Sequence, residues 1–321
     1  MKKLDLSIVT ACDVNYLWGV FLLTASIQKM GLPVNLIVFQ VAFDEAAKQY
    51  ISQFPVAELR EDSSNSPFAM NNRKPGYLLK ADSTEYVAWF DADCFVVDSI
   101  SEFLLPVNHQ FQIRLRSPEE NASVFERYYR PGDRIGDVPS WVLDRWKEDV
   151  GGRQTPRVTS TCPSNCFIFH SRYMRFVEEW ETLISRVVNP HVNSAVDRGN
   201  PAYWMTDESA LNAVMFFSEN CPEPSQFRLD DLSAGHVVHF IGSPKPWIGW
   251  NKRFLYCIPK VIELLDWVER QGMKVPPIPS AFKKWRMPYS YAEAHVRGIY
   301  KDFRSQVGRS VRSIGRKFGK N

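Results

Sequence analysis

The residues with the clearest chemical meaning are Asp91 and Asp93, one residue apart in the run Tyr86-Val87-Ala88-Trp89-Phe90-Asp91-Ala92-Asp93-Cys94-Phe95-Val96-Val97. An apolar, β-forming stretch leads into the two carboxylates and resumes after them, which predicts a buried strand carrying its functional groups at its C-terminal end. A buried ionised group without a partner costs several kcal/mol or more, so the pair calls for a compensating charge. A divalent cation is the simplest such partner. If the strand continues, Asp91 and Asp93 point the same way; if it breaks into a turn, they can grip one ion from two sides. The competing reading of an Asp-x-Asp is a solvated loop or a helix cap, and the apolar flanks weigh against it.

A second stretch is Val237-Val238-His239-Phe240-Ile241-Gly242-Ser243-Pro244-Lys245-Pro246-Trp247. A short apolar strand ends at His239, and Lys245 is fenced by two prolines. Imidazole is a good ligand for manganese-like or harder transition ions, and a lysine ammonium is a point charge suited to phosphate. The bland alternative is a structural loop with a satisfied histidine. A third candidate is the acidic pair Asp207 and Glu208 at the start of a predicted helix over Asp207 to Phe217, with Thr206 as its expected N-cap. There the competing reading is simple complementarity to the helix dipole.

The elements that must position these groups read as a βαβ series. Leu4 to Thr10 is expected as a central strand, followed by a turn through Ala11, Cys12, Asp13, Val14 and Asn15 and a helix from Tyr16 to Lys29. A strand follows over Val34 to Val41, a helix over about Asp44 to Phe54, a short strand near Val56 to Arg60 and a short helix over Lys74 to Asp82 before the strand at Tyr86. That rhythm predicts an α/β fold, a Rossmann-like mostly parallel sheet covered by helices. Ligands of such sheets sit beyond the carboxyl ends of the strands, where Thr10 to Asp13 and Asp91 to Asp93 would both fall. After Asp98 the pattern loosens. Gln110 to Leu115 reads as a strand, Ser117 to Gly136 as a turn-rich stretch, Trp141 to Val150 as a helix, Cys166 to Phe169 as a strand and Arg172 to Arg186 as an amphipathic helix.

With 321 residues and 45% apolar residues the chain has ample material for a core, which excludes a disordered protein. The six cysteines are scattered. Cys162 and Cys166 form the one close pair, and no second pair completes a zinc site, so reduced, buried thiols in a cytosolic compartment are expected. No targeting signal is read at the N-terminus, and the apolar segment from Leu17 to Ile27 is too short to span a bilayer.

Two of these motifs resemble those of GT-A-fold glycosyltransferases, in particular the retaining family 8 of glycogenin-like and bacterial lipopolysaccharide galactosyl- and glucosyltransferases. Asp91-Ala92-Asp93 after an apolar strand is similar to that family's metal motif. His239-Phe240-Ile241-Gly242-Ser243-Pro244-Lys245-Pro246-Trp247 is similar to its His-x-x-Gly-x-x-Lys-Pro-Trp motif, and the likeness runs over roughly Leu4 to Trp267. The resemblance implies a GT-A fold, a nucleotide-sugar donor such as UDP-glucose or UDP-galactose, a Mn2+ (or Mg2+) ion and transfer with retention of configuration. It implies Asp91, Asp93 and His239 as metal ligands, and Gly242 and Lys245 near the donor pyrophosphate. It also implies Thr10, Ala11, Asp13 and Tyr16 around the nucleoside, Lys74 near the donor phosphates and sugar, and Asp207 and Glu208 beside the transferred sugar. Glu208 replaces the family's usual glutamine, and the usual Asn-x-Gly entry to the later strand stands here as Ser164-Asn165-Cys166. A nucleotidyltransferase and a non-catalytic carbohydrate-binding protein remain as alternatives.

The expected organisation is a GT-A catalytic domain over 1–272, with a nucleotide-binding part over about 1–100 and an acceptor-side part over about 101–272. A proline-rich connector over 273–290 and a basic amphipathic tail over 291–321 follow. From Arg297 to Asn321 there are eight Lys or Arg residues against one acid, a net +7, leaving −4 on the rest of a chain whose total is +3. Ile299, Phe303, Val307, Val311, Ile314 and Phe318 fall on one helical stripe. The glycines and serines among them weaken helix propensity, so a tail disordered in water and ordered on an anionic membrane surface is expected. The remaining expected partners are the nucleotide-sugar donor and a saccharide or lipid-linked saccharide acceptor. No base-reading or stacking module accompanies the basic tail, so nucleic acid is not expected. The expected location is cytoplasmic, either free or at the inner face of a membrane. Seven aromatic residues, Tyr128, Tyr129, Trp141, Tyr203, Trp204, Trp247 and Trp250, are candidates to cover acceptor sugar rings, against core packing for any one of them.

Overall fold

The computed structural model describes residues 5–64, 66–81, 84–98, 100, 111–192, 194–226 and 236–318. By internal contacts the chain divides into two compact units, Met1–His239 and Phe240–Asn321. In the first, β1 (Leu6–Asp13), α1 (Leu17–Lys29), β2 (Asn35–Val41), α2 (Glu45–Ser52) and β3 (Ala57–Glu61) form the expected βαβ series. They are followed by a 3-10 turn over Met70–Arg73, α3 (Lys74–Leu79), β4 (Tyr86–Phe90) and β5 (Cys94–Val96). Next come β6 (Phe111–Ile113), α4 (Pro118–Val124), α5 (Ser140–Val150), β7 (Cys166–His170), α6 (Met174–Val187), α7 (Thr206–Phe217), β8 (Pro224–Gln226) and β9 (Val237–His239).

Seven strands pair in the order β3-β2-β1-β4-β7-β6-β8. β3, β2, β1 and β4 are mutually parallel, β7 runs antiparallel to both β4 and β6, and β8 is parallel to β6. The sheet is therefore mixed but mostly parallel and flanked by helices, as expected. β1 is buried along almost its whole length, which is what a strand covered on both faces requires. Val9, Ala11, Val87 and Trp89 alternate onto one face, where they join Trp146, Trp180, Leu211 and Phe216 from α5, α6 and α7 in a single apolar cluster. That cluster is what fixes α7, and with it Asp207, against the sheet.

Two local boundaries differ from the sequence reading. β1 continues to Asp13, because its backbone keeps pairing with β2 as far as Val41, so Thr10 lies inside the strand. α4 occupies part of the stretch read as turns. Its start carries a capping box in which the Ser117 side chain accepts from the Glu120 N–H and the Glu120 carboxylate accepts from the Ser117 N–H. The predicted ends at Leu4, Asp82 and Gln110 lie outside the described residues.

In the second unit, α8 (Ile258–Arg270) follows a 3-10 helix over Lys252–Cys257, and α9 (Met287–Phe318) is one 32-residue helix. The basic C-terminal segment is thus helical, as its apolar stripe predicts. The first turns of α9 are tethered, with Ala294 and Ser290 buried and the Tyr291 hydroxyl donating to the Leu255 carbonyl. A helix started on such an anchor avoids the nucleation cost that an isolated segment would face. The segment between α8 and α9 is not a plain linker, since Ala281 and Phe282 are buried and the Trp250 indole N–H donates to the Ala281 carbonyl. No helix among the described residues is long and apolar enough to cross a membrane.

Candidate active site

β4 ends at Phe90 and delivers Asp91 to the carboxyl edge of the sheet; Asp93 follows at the entry to β5. β9 pairs antiparallel with β5 so that His239 lies opposite Cys94, which brings the imidazole beside both acids. His239 Nε2 is 3.3 Å from an Asp93 oxygen and 3.6 Å from an Asp91 oxygen, and one donor atom from each of the three lies within 4.8 Å of the others. Ligands adjacent in an octahedron around an ion at about 2.1 Å are separated by about 3 Å, so the cluster is close to the spacing one small divalent ion needs. Two carboxylates and an imidazole form a hard, nitrogen- and oxygen-bearing set suited to a divalent ion of the manganese or magnesium type. The residues fit such an ion, and Asp91, Asp93 and His239 would hold it.

Because β7 runs antiparallel to β4, the start of β7 meets the end of β4: Phe90 pairs with Cys166, and the Asp91 N–H donates to the Asn165 carbonyl at 2.8 Å. Ser164 therefore stands next to the acids, and Lys74 reaches the same place from the first turn of α3. The Lys74 ammonium lies 2.9 Å from Asp91 Oδ1 and 3.1 Å from Asp207 Oδ2, and donates to the Ser164 hydroxyl and carbonyl at 3.0 and 3.2 Å. Only 6% of the Lys74 residue surface is exposed. Its burial acts to lower the ammonium pKa, but the carboxylates of Asp207 and Asp91 outweigh that and hold it above the ordinary lysine value. Lys74 thus ties one metal-ligand candidate to the helix that carries the second acidic pair. The Trp89 indole N–H completes the setting of Asp91, donating to Oδ1 at 2.7 Å.

Asp207 is 4% exposed. Asn71 donates to its Oδ1 at 3.0 Å, and the Ser164 hydroxyl donates to Oδ2 at 2.8 Å. Asn71 also donates to the Thr206 hydroxyl at 3.0 Å. Thr206 is the first residue of α7 rather than its N-cap, and its φ of +27° places it in the left-handed region, which costs a non-glycine residue on the order of 1 kcal/mol or more. The two hydrogen bonds from Asn71 act on that strained corner. Glu208 points to a different partner: Arg116 donates to its Oε1 at 2.7 Å while its other terminal nitrogen donates to the Thr161 hydroxyl and the Cys162 carbonyl. The Asn212 side chain bonds both the Cys162 N–H and carbonyl and the Glu208 carbonyl, fixing the 161–162 segment to α7.

The structure thus brings together Asp91, Asp93, His239, Lys74 and Asp207, while Glu208, the next residue of α7, pairs with Arg116. Thr10 and Ala11 are buried within β1, while Asp13 sits at its end, where it accepts from the Asn15 N–H and caps the short turn that leads to Tyr16. Gly242 and Lys245 belong to the second unit. Gly242 has φ +82°, a conformation that glycine adopts without steric cost, and the Lys245 ammonium donates to the Phe240 carbonyl at 2.9 Å. Asn71, Ser164 and Arg116 are the functional neighbours that sequence reasoning did not single out as side chains of the site. Of these, only Ser164 carried a signal, its place at the entry to β7.

No family model matches the chain, and no curated protein matches it in sequence. Solved structures do match in fold. The bifunctional glycosyltransferase WbbM aligns at 16% identity over 83% of this chain and 52% of its own, with a TM-score of 0.52. The glycosyltransferase GlyE of Streptococcus pneumoniae TIGR4 aligns at 14% identity over 84% of this chain and 64% of its own, with a TM-score of 0.50. The chain therefore spans about half the length of WbbM and under two thirds of GlyE. At these identities the likeness is one of fold.

Proposed function

We propose that the protein is a metal-dependent retaining glycosyltransferase that moves a hexose from a nucleotide sugar, UDP-glucose or UDP-galactose, to a saccharide or lipid-linked saccharide. The observation that carries this reading is the junction made by Lys74: a three-residue cluster fit for a divalent ion is tied through one buried ammonium to Asp207 on α7. The fold likeness to glycosyltransferases supports it.

A bound Mn2+ (or Mg2+) ion would stabilise the negative charge that grows on a departing nucleoside diphosphate. Lys245 and Gly242 are assigned to the pyrophosphate, and Asp13, Tyr16 and the end of β1 to the nucleoside. Asp207, with both oxygens engaged by neighbours, is assigned to hold sugar hydroxyls in a fixed orientation. Glu208 is assigned to stabilise positive charge on the sugar during front-face attack. Its pairing with Arg116 favours that role over a nucleophilic one, since an Arg116 N–H already occupies Oε1. Tyr128, Trp141 and Trp204 form a half-buried aromatic group, with ring centroids 5.7 and 6.4 Å from Tyr128, and are assigned to the acceptor side. Tyr203, Trp247 and Trp250 are buried and belong to packing.

The catalytic part is assigned to 1–272, with α9 as a means of attachment to an anionic membrane. Ile299, Tyr300 and Phe303 on α9 are each 64–69% exposed among basic residues, a pattern that suits shallow insertion beside lipid phosphates. The side chains of Val311, Ile314 and Phe318 lie outside those described.

The deciding experiment incubates the protein with manganese, UDP- and GDP-sugars and a mixture of saccharide and lipid-linked acceptors, and measures release of nucleoside diphosphate. Release with one sugar donor, dependent on metal, supports the reading and separates it from a nucleotidyltransferase, which would take the nucleotidyl group from the donor and release sugar 1-phosphate. No diphosphate from any donor would overturn it.

A further inference from the structure

The 3-10 turn Met70–Arg73 and α3 present two faces with different neighbours. Asn71 and Lys74, three residues apart, both turn to Asp207. Arg73, Gly76, Tyr77 and Lys80 follow the i, i+3, i+4, i+7 pattern of a single helical face, and all four line a cavity of about 490 Å³ on the other side. The facing wall is α6, which contributes Glu181, Thr182 and Ser185, and the third wall is made by Ser64, Ser66, Pro67 and Phe68. That volume lies in the range of small-molecule pockets, roughly 300–1,000 Å³.

The lining chemistry narrows the ligand. Five hydroxyl groups, an amide, a guanidinium, an ammonium and a carboxylate surround the space, so donors and acceptors are both abundant. Arg73 is already engaged by Asp62 and the Ser64 hydroxyl and lies over the Tyr77 ring, and Lys80 and Glu181 line the cavity with opposite charges. A dedicated anion site would leave positive charge in excess; here the charges offset one another. Phe68 and Pro67 supply the apolar surface that the C–H faces of a pyranose can cover. Gly76 keeps the floor open: a Cβ there would stand 2.7 Å from a Glu181 carboxylate oxygen.

We propose that this cavity is a second saccharide site, binding a neutral hexose or disaccharide unit on the face of the 70–80 segment opposite to the one that holds Asp207. It stands apart from the reaction proposed above, because it concerns binding without donor or metal, and failure of nucleotide-sugar turnover leaves it intact.

The test is titration of the full chain, free of metal and nucleotide, with glucose, galactose, N-acetylglucosamine, lactose and maltose, followed by saturation-transfer NMR and calorimetry. At least one sugar is expected to bind saturably. Ser185→Trp, an exposed α6 position whose indole would fill the cavity, is expected to weaken that binding by at least about tenfold, and the milder Lys80→Ala to weaken it measurably. Asp207→Asn is expected to leave it unchanged. Absence of binding by all five sugars overturns the proposal. So does binding that survives both cavity variants, or binding lost in Asp207→Asn but kept in Ser185→Trp, which would place the sugar on the other face of the turn.

Discussion

Arg116→Met isolates the charge pair that distinguishes this site. Arg116 and Glu208 side chains are 9% and 15% exposed and meet at 2.7 Å. Pairs in open solvent contribute about 0–1 kcal/mol, whereas removing one member of a buried pair costs about 3–5 kcal/mol because a carboxylate is left without compensation. The slight exposure of Glu208 puts the expected loss at the low end, about 3 kcal/mol. The other groups that Arg116 contacts keep partners, since Thr161 still donates to Asn121 and the Cys162 carbonyl still accepts from Asn212, so little is added there. Glu208→Gln keeps an oxygen acceptor for Arg116 and is expected to cost about 1 kcal/mol. With both changes made, no isolated charge remains, and the total is expected near 2 kcal/mol rather than the 4 of simple addition. The assay is urea unfolding of the four proteins followed by tryptophan fluorescence, without metal or nucleotide, so that no assumption about activity enters. If the double variant equals the sum of the singles to within about 0.5 kcal/mol, the pair is not coupled and the role given to Arg116 fails.

Asp93→Ala and His239→Ala are each expected to weaken manganese binding by at least about 100-fold in calorimetry, with unchanged circular dichroism, because losing a ligand costs more than the roughly 10–100-fold of losing a supporting hydrogen bond. Lys74→Met is expected to destabilise the fold by about 3–5 kcal/mol at pH 7. The lysine pKa is raised on folding, so its contribution is complete below the ordinary value of 10.5 and is lost only as pH climbs above it. The deficit of the variant in urea unfolding should therefore be flat from pH 7 to 9 and shrink at higher pH; a deficit that vanishes by pH 8 contradicts the assignment. All six cysteines are buried as free thiols, and burial pushes Cys221 and Cys257 up to about 12 and raises Cys12 and Cys162 as well. A disulfide reagent at pH 8 should thus react with none of them quickly in the folded protein and with all six in denaturant.

Asp91, Asp93 and His239 were legible in the sequence because each ends or begins an apolar strand, and a buried strand leaves few places for a charged side chain except its carboxyl edge. The helices α1, α6 and α7 were legible for a related reason, a long apolar or amphipathic pattern with recognisable ends. Asn71 and Arg116 were not. Each is a single polar residue in a short, irregular segment, and what gives it meaning is a partner 92 to 136 residues away. The start of α4 is a different kind of miss, since Ser117-Pro118-Glu119-Glu120 carries a capping-box pattern that was there to be read. Strand β1 ran three residues past its expected end because pairing with β2, rather than local propensity, decides where it stops.

Glu208 shows how one structural contact sets what a carboxylate can do. A glutamine at this position would add no charge, whereas Glu208 adds a carboxylate next to Asp207 on α7. Carboxylates held largely out of water each need a partner at short range. Lys74 serves Asp91 and Asp207, the fit of the triad to a divalent ion serves Asp91 and Asp93, and Arg116 serves Glu208. The arginine is thus the cation that compensates the Glu208 carboxylate where it stands. A chain with Glu208 but without Arg116 would be expected to turn that side chain toward solvent, and the carboxylate would no longer face the sugar that the proposed reaction places beside it.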